Sequence, residues 1–326
     1  MFGKNVVCLL LTLFLHTVAG AQQPTKVLRI GYLTAASPPG MAPRTDAFRQ
    51  GLRELGYVEG KNIVIEWRYA EGKLDRLAAL VAELVQLKAD IIVSAGPGVT
   101  RVVKKATSTI PIVMAQDNNP VGIGFIASLA RPGGNITGLS TVEPELSSKR
   151  LELLKEIIPR LARVAVFGTS TNPGNAQGLR ETERAAEAFG IKLQYVDVLS
   201  SKDGETAFRA ASKARADAAL MNVSGPIFQA NRKEFVDLAI KHRLPVMYEF
   251  PGYVRDGGLM SYGIDLLDLD RRAAVYVDKI LKGRKPTELP VEQPTKFEFI
   301  INLKAAKQIG LTIPPNVLAR ADKVIR

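Results

Sequence analysis

The sequence predicts an α/β protein of two doubly wound, Rossmann-like lobes with parallel sheets, joined by a multi-strand hinge. Three observations carry this. Short apolar, β-branched runs alternate with amphipathic helical stretches, the pattern of βαβ units. That pattern is written twice, on either side of Arg131-Pro132-Gly133-Gly134-Asn135-Ile136-Thr137-Gly138-Leu139-Ser140. The 326 residues exceed one ordinary domain but suit two, each able to bury its own core.

The halves match by their punctuation. Val27 to Leu33 breaks into Thr34-Ala35-Ala36-Ser37-Pro38-Pro39-Gly40 and then a helical stretch that stops at Gly56. Arg163 to Gly168 breaks into Thr169-Ser170-Thr171-Asn172-Pro173-Gly174 and a helical stretch that stops at Gly190. The third strands also correspond, 89–97 against 216–226, and so do the fourth, Ile110 to Met114 against Leu244 to Met247. One doubly wound half looks much like another, so the likeness supports two lobes and not a duplication.

The chain begins with a leader. Residues 1–21 carry one charge, Lys4, then an apolar run from Val6 to Leu15, then Ala19-Gly20-Ala21. This is the pattern of a cleavable export signal cut after Ala21, too short in its apolar part for the roughly 20 residues of a membrane span. Gln22, not a cysteine, follows the cut, so no lipid anchor is expected there. The one cysteine, Cys8, lies within the leader, which excludes disulfides, thiol catalysis and thiolate metal sites from the remainder. The formal net charge of +12 is spread over many helices among Asp and Glu, with no long basic block. That reads as a solvated basic surface and not a nucleic-acid interface, and it permits an anionic ligand without requiring one.

In the first lobe the stretch from about Ala42 to Leu55 puts Phe48, Leu52 and Leu55 on one helical face and Arg49 and Arg53 on the other. Asn62 to Tyr69 alternates as a strand, and 73–87 has leucines at helical spacing. Ligands of open parallel sheets sit beyond the carboxyl ends of the strands, where loops and helix N-termini converge. The stretches expected there are Tyr32-Leu33-Thr34 and the residues to Ser37, then Gly96-Pro97, and then 115–120, which includes Asp117 and Pro120. Ordinary turn chemistry accounts for such residues equally well. Gly122-Ile123-Gly124 lacks the third glycine of a dinucleotide loop and stands at the wrong turn, so no cofactor is expected.

In the second lobe, 144–158 reads as a helix, and the strand-end groups are Thr169, Ser170, Thr171 and Asn172, then Ser224-Gly225, then Glu249. The hydroxyl-rich set has no Lys or Arg within it and suits a carboxylate; the same residues also suit the cap of the following helix. The stretch 251–263 is read as a turn followed by a short strand returning to the first lobe, with Tyr253 and Tyr262 nearby as an aromatic wall or as packing residues. A helix over 269–281, a Pro-rich segment over 285–294, a strand over 296–302 and a short helix complete the chain. The expected lobes are 22–138 with 259–292, and 139–258 with 293–326. Facing strand-end loops then define a cleft that closes by hinge bending.

With these residues in view, the chain resembles a family: the periplasmic solute-binding proteins of ABC transporters with the type I binding-protein fold, in the branch of tryptophan/tyrosine transport receptors. The resemblance rests on Arg29-Ile30-Gly31-Tyr32-Leu33, on 48–57, on Pro132-Gly133-Gly134-Asn135-Ile136-Thr137-Gly138, on Val291-Glu292-Gln293-Pro294-Thr295-Lys296-Phe297 and on Gly310-Leu311-Thr312-Ile313-Pro314-Pro315. It implies capture of a small solute in the cleft, delivery to membrane permease subunits, a periplasmic location and a monomer.

Other classes fit less well. Past the leader there is one histidine, His242, between Lys241 and Arg243 and away from any strand-end loop, so neither an enzyme nor a metal site is expected. A repressor of the same architecture would need a DNA-reading helix-turn-helix where the leader stands. A periplasmic sensor feeding a receptor kinase remains an alternative that the residues do not separate from a transport receptor. The expected ligand is an amino acid or small carboxylate with an apolar or aromatic body, its ammonium held by Asp117 or Glu249.

Overall fold

The computed structural model describes residues 27–326 except 173 and 222–224. The leader and Ser224 therefore lie outside the described residues.

The first lobe is built in order from β1 (Leu28–Thr34), α1 (Pro38–Glu54), β2 (Ile63–Tyr69), α2 (Leu77–Gln86), β3 (Ile91–Ala95), α3 (Pro97–Ala106), β4 (Ile112–Asn118) and β5 (Ile136–Thr141). Its sheet has the order β2-β1-β3-β4-β5, all parallel. β3 and β5 are buried along their whole length, which is why they read as continuous apolar or small-residue runs without alternation. Helix α1 starts earlier than its periodicity suggests. Pro38 and Pro39 fall in its first turn, where a missing N–H costs nothing, so the Pro-Pro-Gly segment is helix and not turn.

The second lobe continues with α4 (Glu143–Ile157), β6 (Arg163–Gly168), α5 (Asn175–Phe189), β7 (Lys192–Asp197), α6 (Gly204–Lys213), β8 (Ala218–Met221), α7 (Pro226–Ala230), α8 (Arg232–Lys241), β9 (Val246–Tyr248), α9 (Pro251–Arg255) and β10 (Met260–Gly263). Then α10 (Leu266–Leu281) returns to the first lobe and packs along α1. The two helices approach so closely that a Cβ on Gly51 would stand 2.3 Å from the Arg271 carbonyl oxygen. The chain ends with β11 (Glu298–Asn302), α11 (Leu303–Ile309), α12 (Pro315–Leu318) and β12 (Lys323–Ile325). The second sheet has the order β12-β11-β10-β9-β8-β6-β7, parallel except where β10 meets β11.

One expectation is corrected here. Met260 to Gly263 does not return to the first lobe: β10 lies between β9 and β11, with Ser261 opposite Tyr248 and Tyr262 opposite Phe299. The crossing comes after it, at Ile264-Asp265, where Asp265 caps α10 by accepting the N–H of Leu267. Likewise β5 runs to Thr141 in the first sheet, past the expected boundary at 138. Sequence shows that a strand exists but not which strand it pairs with. A third link is Leu289 to Glu292, which lies along β5: the Ser140 N–H donates to the Glu292 carbonyl at 2.9 Å, and the Thr137 hydroxyl donates to the Leu289 carbonyl at 2.6 Å.

Candidate ligand cleft

The carboxyl ends of the two sheets face each other across a cavity of about 150 Å³. From the first lobe, Thr34, Ala95, Asn118 and Thr141 reach it as the last residues of β1, β3, β4 and β5. Gly96 to Val99 add the start of α3, and Met41 and Arg44 add the first turns of α1. Gly96 needs its glycine, because its φ of +105 lies in the left-handed region that turns β3 into α3. From the second lobe come Thr169, Thr171, Asn172, Gly225, Ile227, Gln229, Glu249 and Phe250, which follow β6, β8 and β9. At the edge, the Asn119 side-chain N–H donates to the Gln177 side-chain oxygen of α5 at 2.7 Å, a direct bond between the lobes.

Of the expected site residues, Thr34, Gly96, Pro97, Thr169, Thr171, Asn172, Gly225 and Glu249 thus lie on one cavity. The others do not. Tyr32 is fully buried behind the wall, against Phe48 and Trp67, and its hydroxyl donates to Asp270 at 2.6 Å. Leu33, its strand neighbour, points to the core on the other face of the sheet. Pro120 is buried, its carbonyl accepting the Phe125 N–H. Ser170 turns outward to Asp197, whose carboxylate accepts both its N–H and its hydroxyl. Tyr253 stacks on Tyr248 with ring centroids 4.7 Å apart, inside the second lobe, and Tyr262 packs near Phe297 and Phe299. The three tyrosines are packing residues, and the aromatic ring on the cavity is Phe250. Of 169–172, Asn172 reaches the start of α5: its side-chain oxygen accepts the N–H of Gly174, the N-cap residue, at 3.4 Å.

Asp117 is displaced for a different reason. It sits on β4 between Gln116 and Asn118, which line the cavity, at a register shift between Met114 and Asp117, and it points away into the lobe. Neither carboxylate oxygen has a hydrogen-bond partner. Burial raises its pKa to about 7, with the Thr100 hydroxyl and Gly96 N–H near enough only to pull it partly back. An acid raised in the folded state holds a proton that the unfolded chain has released. Stability on this account is full below about pH 4 and is lost as the pH rises to about 7. Asp117→Asn is expected to be more stable than wild type by about 2 to 4 kcal/mol at pH 8 and about equal at pH 4, read from urea midpoints. Equal midpoints at both pH values would contradict the buried, proton-binding carboxyl.

Sequence reasoning missed Arg44. It lies on the buried face of α1 with an 8% exposed side chain, and its guanidinium pairs with the fully buried Asp270 of α10, Nη2 donating to Oδ1 at 3.1 Å and Nε donating to Oδ2. Burial works against the Arg44 charge, but Asp270 outweighs it and holds the guanidinium protonated. Burial also pushes the Asp270 carboxyl upward, against Arg44 and the Tyr32 hydroxyl. The geometry favours the ionised pair, since Arg44 and Tyr32 together direct three donors at the two Asp270 oxygens.

The model of the family described as ABC transporter substrate binding protein matches residues 29–325. The chain belongs to that family. This substrate-binding protein therefore captures a small solute between its lobes and works with membrane permease components, which favours transport over the sensor alternative. The family acts outside the cytoplasm, and no helix among the described residues is long and apolar enough to cross a membrane. It is similar to a conserved domain protein of Vibrio cholerae, 28% identical, covering 92% of this chain and 100% of that one with a TM-score of 0.85. It is similar also to an ABC domain from Streptococcus pneumonia solved in complex with L-Trp, 26% identical over 91% of this chain and 99% of that one, with a TM-score of 0.84. A tyrosine-binding protein of Clostridioides difficile is 24% identical over 287 residues, 88% of this chain and 82% of that one.

Proposed function

We propose that the solute is an amino acid with an apolar or aromatic side chain. The observation that carries this is Glu249: a buried acidic residue on a cavity that also presents the apolar side chains of Met41, Val99, Ile227 and Phe250. A carboxylate on an apolar wall favours a ligand that brings a cationic group to it and an apolar body to its neighbours. Asn118 adds a buried side-chain oxygen without a partner, an acceptor that a ligand N–H or O–H would satisfy. The tyrosine and tryptophan named for two relatives support the same class. In this reading the leader 1–21 carries the chain into the periplasm and is cut after Ala21, and the remainder works as a monomer that hands its ligand to permease subunits.

A thermal-shift screen of refolded protein tests the class. A ligand that binds only the folded state stabilises it by about 2.7 kcal/mol at a hundredfold excess over its dissociation constant. Apolar and aromatic L-amino acids are expected to raise the melting temperature, while sugars and nucleosides leave it unchanged. The reverse pattern would contradict the proposal.

A further inference from the structure

Arg44 is a charged side chain of the first lobe on the cavity wall, and its setting is unusual. Burying a guanidinium with a carboxylate is a costly way to stabilise a fold, since apolar residues of the same volume do as well or better. Asp270 takes Nε and Nη2, and the Tyr32 hydroxyl fixes Asp270 from behind. Among the described residues no hydrogen bond engages Nη1, although Arg44 lines the cavity. A guanidinium is a rigid planar fork, so holding one edge on Asp270 determines where the remaining N–H groups point.

The loop expected to take a carboxylate is poorly placed to do so. The Thr169 hydroxyl donates to the Val198 carbonyl at 3.0 Å, the Ser170 hydroxyl donates to Asp197 at 2.6 Å, and the Asp197 charge stands beside the loop. The Thr169 and Ser170 hydroxyl protons are therefore committed within the second lobe, which leaves Thr171 and Asn172 as the loop's polar side chains on the cavity.

We propose that Arg44 anchors the carboxylate of the solute from the first lobe, with Asp270 and Tyr32 as the positioning residues that hold its guanidinium in place. This rests on the amino-acid reading above and adds an orientation: carboxylate toward α1, ammonium toward Glu249. It also adds a selectivity, for free acids over amines of the same shape.

The test is calorimetric titration with L-tryptophan, with tryptamine, which lacks the carboxylate, and with indole-3-propionate, which lacks the ammonium. Wild type is expected to bind L-tryptophan about a hundredfold more tightly than tryptamine. The double variant Arg44→Gln with Asp270→Asn removes both charges together and leaves neither buried alone. It is expected to bring the acid-to-amine ratio to within about threefold while tryptamine still binds. Should that variant fail to melt cooperatively, Arg44→Lys keeps the charge and loses the fork, and the ratio is expected to fall about tenfold. Asp270→Asn alone is expected to weaken L-tryptophan binding more than tryptamine binding and so lower the acid-to-amine ratio, whereas a purely structural role would weaken both equally. A folded double variant with the wild-type ratio overturns the proposal. If L-tryptophan does not bind but indole-3-propionate does, and the double variant abolishes it, the amino-acid reading fails and the Arg44 assignment stands. If neither acid binds wild type, the Arg44 assignment is overturned.

Discussion

Asp270→Ala is expected to destabilise the protein by about 3 to 5 kcal/mol, the range for removing one member of a buried ion pair. The substitution strands the Arg44 guanidinium, 8% exposed, and removes the acceptor of the buried Tyr32 hydroxyl. It does so on α10, the helix that follows β10 and carries the chain from the second lobe to the face of α1. The cost arises from the uncompensated charge more than from lost attraction, so the charge-free pair Arg44→Met with Asp270→Leu is expected to cost less, about 1 to 3 kcal/mol, which is the cost of leaving the Tyr32 hydroxyl without its acceptor. Urea unfolding of both variants checks this. A single variant no less stable than the double one would contradict a buried ionised pair.

Gly263→Ala is expected to cost about 3 kcal/mol and about tenfold in solute affinity at once. The residue closes β10 immediately before the crossing to α10. A Cβ there would stand 1.9 Å from the Glu249 carbonyl oxygen and 3.1 Å from Nη2 of Arg150. Neither neighbour yields easily: Arg150 is fully buried with its Nε donating to the Tyr262 carbonyl at 2.7 Å, and Glu249 follows directly on β9. The strain is relieved only by moving the backbone that presents Glu249 to the cavity, which couples stability to binding. Unfolding midpoints and titration of the same sample check both effects, and a wild-type midpoint would show that the approach is not this tight.

The sequence shows the alternation of elements because strands buried on both faces have no polar positions to interrupt them, as in β3 and β6. It also shows the strand ends, and so Thr34, Gly96, Thr169 and Glu249, because ligand clefts of such sheets form where strands stop. What it hides is pairing. Tyr32 and Asp270 stand 238 positions apart, and nothing local joins them. A signal existed all the same. Asp270 lies among Leu266, Leu269, Ala273 and Val277 on the buried face of α10, and Arg44 lies between Met41 and Phe48 on the buried face of α1. A charge inside an apolar stripe requires a partner or a ligand. The tyrosines misled because an aromatic ring near a strand end packs inward as readily as it lines a cleft, and only the paired strands decide which.

In the proposed function, Glu249 holds the ammonium group of an amino acid in this cleft. Calorimetric titration of refolded wild type and Glu249→Gln with L-tryptophan and L-tyrosine tests it most directly. The expected result is one site per chain in the wild type and affinity at least about thirtyfold weaker in the variant. Heat from neither amino acid, or equal affinity in the two proteins, would contradict it.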